Sequence, residues 1–314
     1  MNRDEPVLFG LIVPTLNRRD EVERLLVSLA AQTCRDFEVI IVDQNTDDLL
    51  GDICRKFAAR FPLRHVRKES KGAACARNHG LGFASGTIIN FPDDDCEFTP
   101  DLLARVASRF RESPDLDGLF ARAIDPVSGE SSVTKFDTRS QWVTPGNLYG
   151  TTVEFTMFLR RRVFDDVGML DETLGPGTCY GAEEGADFVL RALYRHQRLF
   201  YDPSLLVHHA QKIARYDAAE LKRAASYGRG FGRLSAKHFL VLRQRSAAVR
   251  FVKFQFRAMV AVLLFLLRLQ PRRSRYYLTL IRGRMAGALK SWSEFRKAAD
   301  AARGRMNSQT GTER

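Results

Sequence analysis

Three consecutive carboxylates, Asp93-Asp94-Asp95, follow the apolar run Thr87-Ile88-Ile89-Asn90-Phe91, which reads as a buried strand. Like charges set this close repel, so a fold keeps them at a strand end where a cation binds or water covers them. A hard divalent cation, Mg²⁺ or Mn²⁺, together with a diphosphate would suit them. Such ions take carboxylate oxygens and leave positions for phosphate. The chemistry expected is that of a metal-bound nucleotide; the alternative is a solvated acidic turn that also caps a helix at Thr99-Pro100.

Three further clusters carry candidate chemistry. Lys71-Gly72-Ala73-Ala74-Cys75-Ala76-Arg77-Asn78-His79-Gly80 sets Lys71 and Arg77 among small residues at a helix start, where backbone N–H groups favour an anion such as a diphosphate. Small residues here also suit a tight helix–sheet contact. Glu183-Glu184-Gly185-Ala186-Asp187 opens a helix that continues through Val189–Leu193. One of its carboxylates can act as a general base toward an acceptor hydroxyl, or the acids can simply complement the helix dipole. Val207-His208-His209 offers His208 or His209 as an imidazole ligand to the metal, against the ordinary case of inert histidines.

These groups must be positioned by the elements between them. Val7–Val13 is a near-continuous apolar run ending at Pro14-Thr15-Leu16-Asn17-Arg18, as in a strand buried on both faces. Val22, Leu25, Leu26 and Leu29 give Asp20–Gln32 a helical period. A strand over Phe37–Val42 stops at Asp43. Leu49–Phe61 reads as a helix, Leu63–Arg67 as a short strand, Gly72–Ala84 as a helix of small residues and Leu102–Phe110 as another helix. This alternation predicts an open α/β sheet of parallel strands, with a more mixed second half built on Leu119–Ala123 and Val153–Leu159. The segment 125–150 reads as loop-rich. Ligands of such sheets bind beyond the carboxyl ends of the strands, where Thr15, Asp43 and Asp93–Asp95 all fall.

Composition narrows the class. The chain has 314 residues, 45% apolar and 27% charged, enough for a large core. Its five cysteines lack CxxC spacing, so neither a disulfide framework nor a zinc site is expected. The polar start Met1–Glu5 reads as no secretion signal, which sets the expected location in the cytoplasm. No P-loop is present, which argues against phosphoryl transfer from ATP.

Charge is unevenly divided. Residues 1–211 carry 25 Lys and Arg against 32 Asp and Glu, a net −7; residues 212–314 carry 24 against 5, a net +19. A catalytic domain over 1–211, a basic helical region over 212–303 and a disordered tail over 304–314 are expected. In the basic region, Ala258–Leu267 is ten apolar residues between Arg257 and Arg268, while a spanning helix needs about 20. Phe251, Phe254 and Phe256 alternate with Lys253, Gln255 and Arg257, and Arg272, Arg273, Arg275, Tyr276 and Tyr277 follow. That mixture suits a helix lying in a membrane interface, where anionic lipid contributes about 1 kcal/mol per basic residue. The alternative is a buried helix covering the catalytic domain. A nucleic-acid partner for the +19 region is disfavoured by its long apolar run and by the lack of a zinc-finger or RNA-recognition motif.

Taken in order, Val13-Pro14-Thr15-Leu16-Asn17-Arg18, Val42-Asp43, Ala76-Arg77-Asn78-x-Gly80, Asp93-Asp94-Asp95 and Glu183-Glu184 resemble family 2 glycosyltransferases of the GT-A fold, over about residues 7–210. Leu174-Gly175-Pro176-Gly177-Thr178 is similar to a segment of members that build bacterial exopolysaccharide or cell-surface glycans. The resemblance implies a Rossmann-like open mixed sheet flanked by helices and a nucleotide-diphosphate sugar donor. It implies donor contacts from Pro14, Thr15, Asn17, Asp43, Lys71, Arg77, Asn78, Asp93 and Asp94, with Asp43 on the nucleobase or ribose and Asp93 on the ribose. Asp95 is implied as the metal ligand, and Asp94 shares either role. The family's base lies in a Glu-Asp pair; this chain has Glu183-Glu184 there, with Glu184 the first choice of base and Glu183 the second, and Asp187 supporting the helix or touching the sugar. Inverting transfer to a lipid-linked or oligosaccharide acceptor, by a protein on the inner face of the cell membrane, is the expected activity. A catalytically silent sugar-nucleotide-binding scaffold is the alternative.

Overall fold

The structure, a computed structural model, describes residues 8–211 and 214–310, with side chains described up to 301. Val7, the first residue of the expected opening strand, lies outside the described residues. The chain divides into two compact units, Met1–Glu172 with Glu184–Ile213, and Thr173–Glu183 with Ala214–Arg314.

The first unit runs β1 (Phe9–Thr15), α1 (Arg19–Ala30), β2 (Phe37–Asp43), α2 (Gly51–Ala58), β3 (Leu63–Arg67), α3 (Ala73–Leu81), β4 (Ile88–Asn90), β5 (Cys96–Phe98), α4 (Leu102–Glu112), β6 (Gly118–Ile124), β7 (Gln141–Trp142), α5 (Leu148–Thr151), a single 3-10 turn at Glu154–Thr156, β8 (Met157–Arg160), α6 (Arg161–Val167), α7 (Glu184–Tyr194) and β9 (Leu199–His209). Among the described residues these strands form one nine-stranded sheet in the order β3-β2-β1-β4-β8-β6-β9-β5, with β7 pairing β9.

Strands β1 to β4 are parallel, in keeping with the near-continuous apolar runs of β1 and β2. Phe9, Leu11, Ile12 and Val13 have no exposed surface. The chain steps outward from β1 to β2 and β3, then returns to place β4 on the other side of β1. A ligand crevice opens at the carboxyl ends where the winding direction reverses in this way. The second half departs from parallel pairing, because β8 runs antiparallel to both β4 and β6, and β5 runs antiparallel to β9. Two expectations change in detail. The strand expected over Val153–Leu159 begins only at Met157, since Glu154–Thr156 form the 3-10 turn. The acidic run leads at once into β5, which the sequence pattern did not suggest.

Helix α3 is small-residued for a packing reason. A Cβ on Gly80 would collide with Ile12 of β1 and Val42 of β2. This is the tight helix–sheet contact that small residues suit, and closeness to the sheet sets where Arg77 emerges.

The second unit consists of α8 (Ala218–Leu240), α9 (Arg245–Leu267) and α10 (Pro271–Thr310), with the segment 173–183 against them. The backbone of α10 is helical as far as Thr310, and 311–314 lie outside the described residues. Gly228 and Gly232 of α8 meet Gly283 and Gly287 of α10, where added Cβ atoms would strike the facing backbone, so the two helices approach closely. Segment 173–183 is pinned by Arg233 of α8. Its guanidinium lies 4.8 Å from the ring centroids of both Tyr180 and Phe295, and donates to Glu294 at 2.6 Å and to the Thr173 hydroxyl at 3.0 Å. Composition placed the change of character near 211 and carried no sign that 173–183 belongs with the later helices.

Candidate active site

At the carboxyl edge of the sheet, Thr15 ends β1 and Asp43 ends β2, directly paired in register. Pro14 precedes Thr15 on the same strand. Asp43 has no exposed surface, and its charge is answered locally. One oxygen accepts from the Asn45 backbone N–H at 2.9 Å and side-chain amide at 2.6 Å, while the other lies 2.8 Å from His65 Nε2. Asn45 in turn accepts from the Asn17 N–H at 2.7 Å. Asn17 adopts φ of 58°, a left-handed conformation that Asn tolerates better than most residues. Asp43, Asn45 and Asn17 thus form one chain of hydrogen bonds across the ends of β1 and β2. His65 and Asn45 were not singled out from the sequence.

The centre of the site is Arg77. It is 3% exposed, and its two terminal nitrogens each donate at 2.8 Å, one to Glu184 Oε1 and the other to Asp93 Oδ1. The acidic run and the acidic helix, 91 residues apart in the chain, therefore share a single guanidinium. Burial works against the Arg77 charge, but Asp93, Glu184 and Glu154 outweigh it and hold it protonated. Burial pushes Glu184 up to about 7, the Glu154 charge adds to the shift, and Arg77 opposes it. Asp93 is also pushed up by burial and held back by Arg77, though a third of its side chain stays open to solvent.

Glu154 sits in the 3-10 turn and accepts from the Gly185 N–H at 3.0 Å, satisfying an end group of α7. A Cβ on residue 185 would overlap that side chain where it now lies, so the glycine lets the carboxylate sit against the helix start. Nothing local in Val153-Glu154-Phe155 announces this role, since the partner is 31 residues downstream.

Asp94 and Asp95 face Arg18. Burial pushes Asp94 up to about 7, with Arg18 at 3.7 Å as the opposing charge. Burial also works against the Asp95 charge. There the hydrogen bonds from His209 and from Arg18, the latter at 2.6 Å, prevail and hold Asp95 well below the usual carboxylate range. His209 Nε2 lies 3.3 Å from Asp95 Oδ1, and its ring stacks on Phe155 with 5.2 Å between centroids. Strand pairing explains the choice between the two histidines. Neighbouring residues of β9 face opposite sides of the sheet, so the geometry that delivers His209 to Asp95 turns His208 away.

These residues fit an open metal site. Among the described residues no three His, Cys, Asp or Glu side chains form a closed metal cage. Asp95 and His209 lie side by side, 3.3 Å apart, and are the two side chains that would hold an ion here; a nucleotide-bound Mg²⁺ or Mn²⁺ takes one or two protein ligands and completes its shell with phosphate and water. His209 Nδ1 is buried without a partner.

The remaining sequence candidates take other places. Lys71 is exposed. Asn78 has both ends of its amide engaged: it donates to the Leu170 carbonyl and to Glu172, and accepts from the Leu170 N–H, so it anchors the chain before 173. Asp187 is fully buried and pairs with Arg191 at 2.8 Å within α7. Glu183 holds φ of 81°, a costly conformation for a non-glycine residue, and closes the segment assigned to the second unit.

Among the described residues, a mixed sheet with acidic residues gathered at its carboxyl edge is an open α/β architecture whose candidate site lies where such sheets bind nucleotides. The chain belongs to glycosyl transferase family 2, whose profile matches residues 11–168. A "PGL/p-HBAD biosynthesis glycosyltransferase" of Mycobacterium bovis is 36% identical over 120 residues, 37% of this chain and 47% of that protein. A "Pre-mycofactocin glycosyltransferase" of Mycobacterium tuberculosis is 26% identical over 243 residues, 73% of this chain and again 47% of the relative. The matches thus span about half the length of these relatives. Among solved structures, the mannosyltransferase PcManGT of Pyrobaculum calidifontis, in complex with GDP-Man and Mn²⁺, superposes with a TM-score of 0.61 at 19% identity, covering 90% of this chain and 88% of that one. Residues 1–349 of S. aureus TarS, in complex with UDP-GlcNAc, give 0.56 at 18% identity over 89% and 92%.

Proposed function

We propose that the chain is an inverting, metal-dependent glycosyltransferase that moves a sugar from a nucleotide-diphosphate donor to a hydroxyl of a lipid-linked glycan acceptor, working as a peripheral protein on the inner face of the cell membrane. The observation that carries this reading is the Arg77 bridge between Asp93 and Glu184. It ties the acidic run that would meet the donor to a buried carboxylate whose proton affinity suits a base near neutrality.

Asp93 would meet the nucleoside, the fully buried Asp43 would act on it through the Asn45 and His65 side chains it holds, and the open edge beyond β1 and β4 would take the diphosphate. Asp95 and His209 would hold the divalent ion, which when bound neutralises charge on the leaving diphosphate. Glu184 keeps one oxygen on Arg77 and turns the other to the acceptor hydroxyl. As the acceptor oxygen bonds to the anomeric carbon, its proton passes to Glu184. The bond from that carbon to the diphosphate breaks on the opposite face, and the nucleoside diphosphate leaves with the electron pair. Arg77 keeps the base oriented through this step. Support for a donor of this class comes from the GDP-Man and UDP-GlcNAc complexes of the structural neighbours. The acceptor class and location rest on the basic second unit.

A panel of nucleotide sugars, each titrated with and without Mn²⁺ while thermal unfolding is followed, tests the donor site, because a ligand of the folded state raises Tm. The expected result is stabilisation by one donor only when metal is present. No stabilisation by any donor defeats the reading, and a product that retains the donor's anomeric configuration defeats the inverting step.

A further inference from the structure

We infer that one face of α9 is a docking surface for an anionic lipid bilayer, along which the helix lies parallel to the membrane plane. The inference deepens the membrane-associated reading above and rests on it; the donor site is independent of it.

The sequence shows that the basic region is rich in apolar and aromatic residues, and the structure sorts them. Phe251 and Phe254 face inward, with ring centroids 6.2 and 5.0 Å from Phe231 of α8. Ala247 and Ala258 are buried on the same side. Val249, Val252, Phe256, Val260, Leu263 and Leu267 remain 47 to 83% exposed. Their steps of three and four residues place them in a single stripe of the helix, about 27 Å long at 1.5 Å per residue. Six large apolar side chains in one exposed row mark an interaction face rather than scattered surface residues.

Charge identifies the occupant. Between Glu220 and Glu294 the sequence contains no Asp or Glu and 17 Lys and Arg. Lys253 and Arg257 are exposed beside the stripe, and Arg268 lies just past its end. A second copy of this chain would bring the same cations against each other, whereas an anionic headgroup layer complements them. The cations can reach headgroups while the apolar row enters the acyl boundary, as in interfacial helices. No described helix is long and apolar enough to cross a membrane, which leaves the in-plane orientation for α9.

The test uses the full chain and vesicles of phosphatidylcholine with or without phosphatidylglycerol, separated by flotation. The wild-type protein is expected to float with the anionic vesicles and much less with the neutral ones. The triple variant Val252→Ser, Phe256→Ser, Leu263→Ser is expected to bind anionic vesicles at least about tenfold more weakly, because three apolar side chains no longer leave water. Lys253→Gln with Arg257→Gln should lower the anionic preference and leave neutral binding unchanged. These positions are exposed, so the melting temperature serves as the folding control. Equal weak flotation with both vesicle types overturns the inference. So does a dimer in solution that the triple variant converts to monomer, since the stripe would then be a protein interface. Metal-dependent donor stabilisation, measured on the same preparations, reports separately on the catalytic reading.

Discussion

Replacing Arg77 by Met should expose how much of the first unit depends on one buried cation. The Met stem fills the space of the Arg stem, but Glu184 and Asp93 lose ion pairs of 2.8 Å each, and Glu154 remains nearby. Removing one partner of a buried pair costs about 3–5 kcal/mol, because the other charge stays behind without compensation. In a unit of this size each kcal/mol shifts Tm by about 2–4 °C, so a fall of about 6–20 °C is expected at pH 8. The sign of the pH dependence follows from Glu184. Its folded value is raised from the ordinary 4.5 to about 7, so its proton-linked stability is fully present below 4.5 and is lost as pH rises through about 7. Arg77 holds that value down. Without it Glu184 takes up its proton more readily, and the deficit of the variant should shrink at pH 5. Differential scanning calorimetry of both proteins at pH 5 and pH 8 measures this. A deficit under about 2 °C at pH 8, or one of equal size at both pH values, would refute the reasoning that Arg77 compensates buried carboxylates.

Three further outcomes follow from the same site. Glu184→Gln should reduce turnover by about 10²- to 10⁴-fold while donor binding, read by thermal stabilisation, stays near wild type; the wild-type rate should fall as pH drops below about 7, where Glu184 becomes protonated and can no longer accept a proton. Asp95→Asn should remove the metal dependence of donor binding, and His209→Ala should weaken it, whereas His208→Ala should leave it unchanged; Mn²⁺ titrations of donor stabilisation distinguish the three. Glu154→Gln retains an oxygen for the Gly185 N–H but removes a charge that raises Glu184, so the acidic limb of the pH–rate profile should move to lower pH. An unmoved limb would show that Glu154 does not act on Glu184.

Much of the first unit was legible because its signals are local. β1 and β2 are continuous apolar runs, and such runs belong in parallel strands covered on both faces. Val22, Leu25, Leu26 and Leu29 of α1 are all buried, as their helical spacing requires. The motif order was readable as a family resemblance, and the profile match over 11–168 bears out its part from Pro14 to Asp95, while Glu183-Glu184 lie beyond the matched residues. Strand β5 was not legible: its three residues, Cys96–Phe98, are held by pairing with β9 more than a hundred residues later. Glu154 was missed for the same reason, as its partner Gly185 belongs to another element.

The sequence by itself determined which residues could carry charge, metal or proton at the carboxyl edge of the sheet, because side-chain chemistry and strand patterning are properties of short segments. Tertiary structure decided how those residues combine. It put Asp93 and Glu184 on one guanidinium, turned His209 instead of His208 toward Asp95, assigned 173–183 to the second unit, and separated the inward Phe251 and Phe254 from the outward stripe of α9. Each of these depends on contacts between segments far apart in the chain, whose distances are set by how whole elements pack.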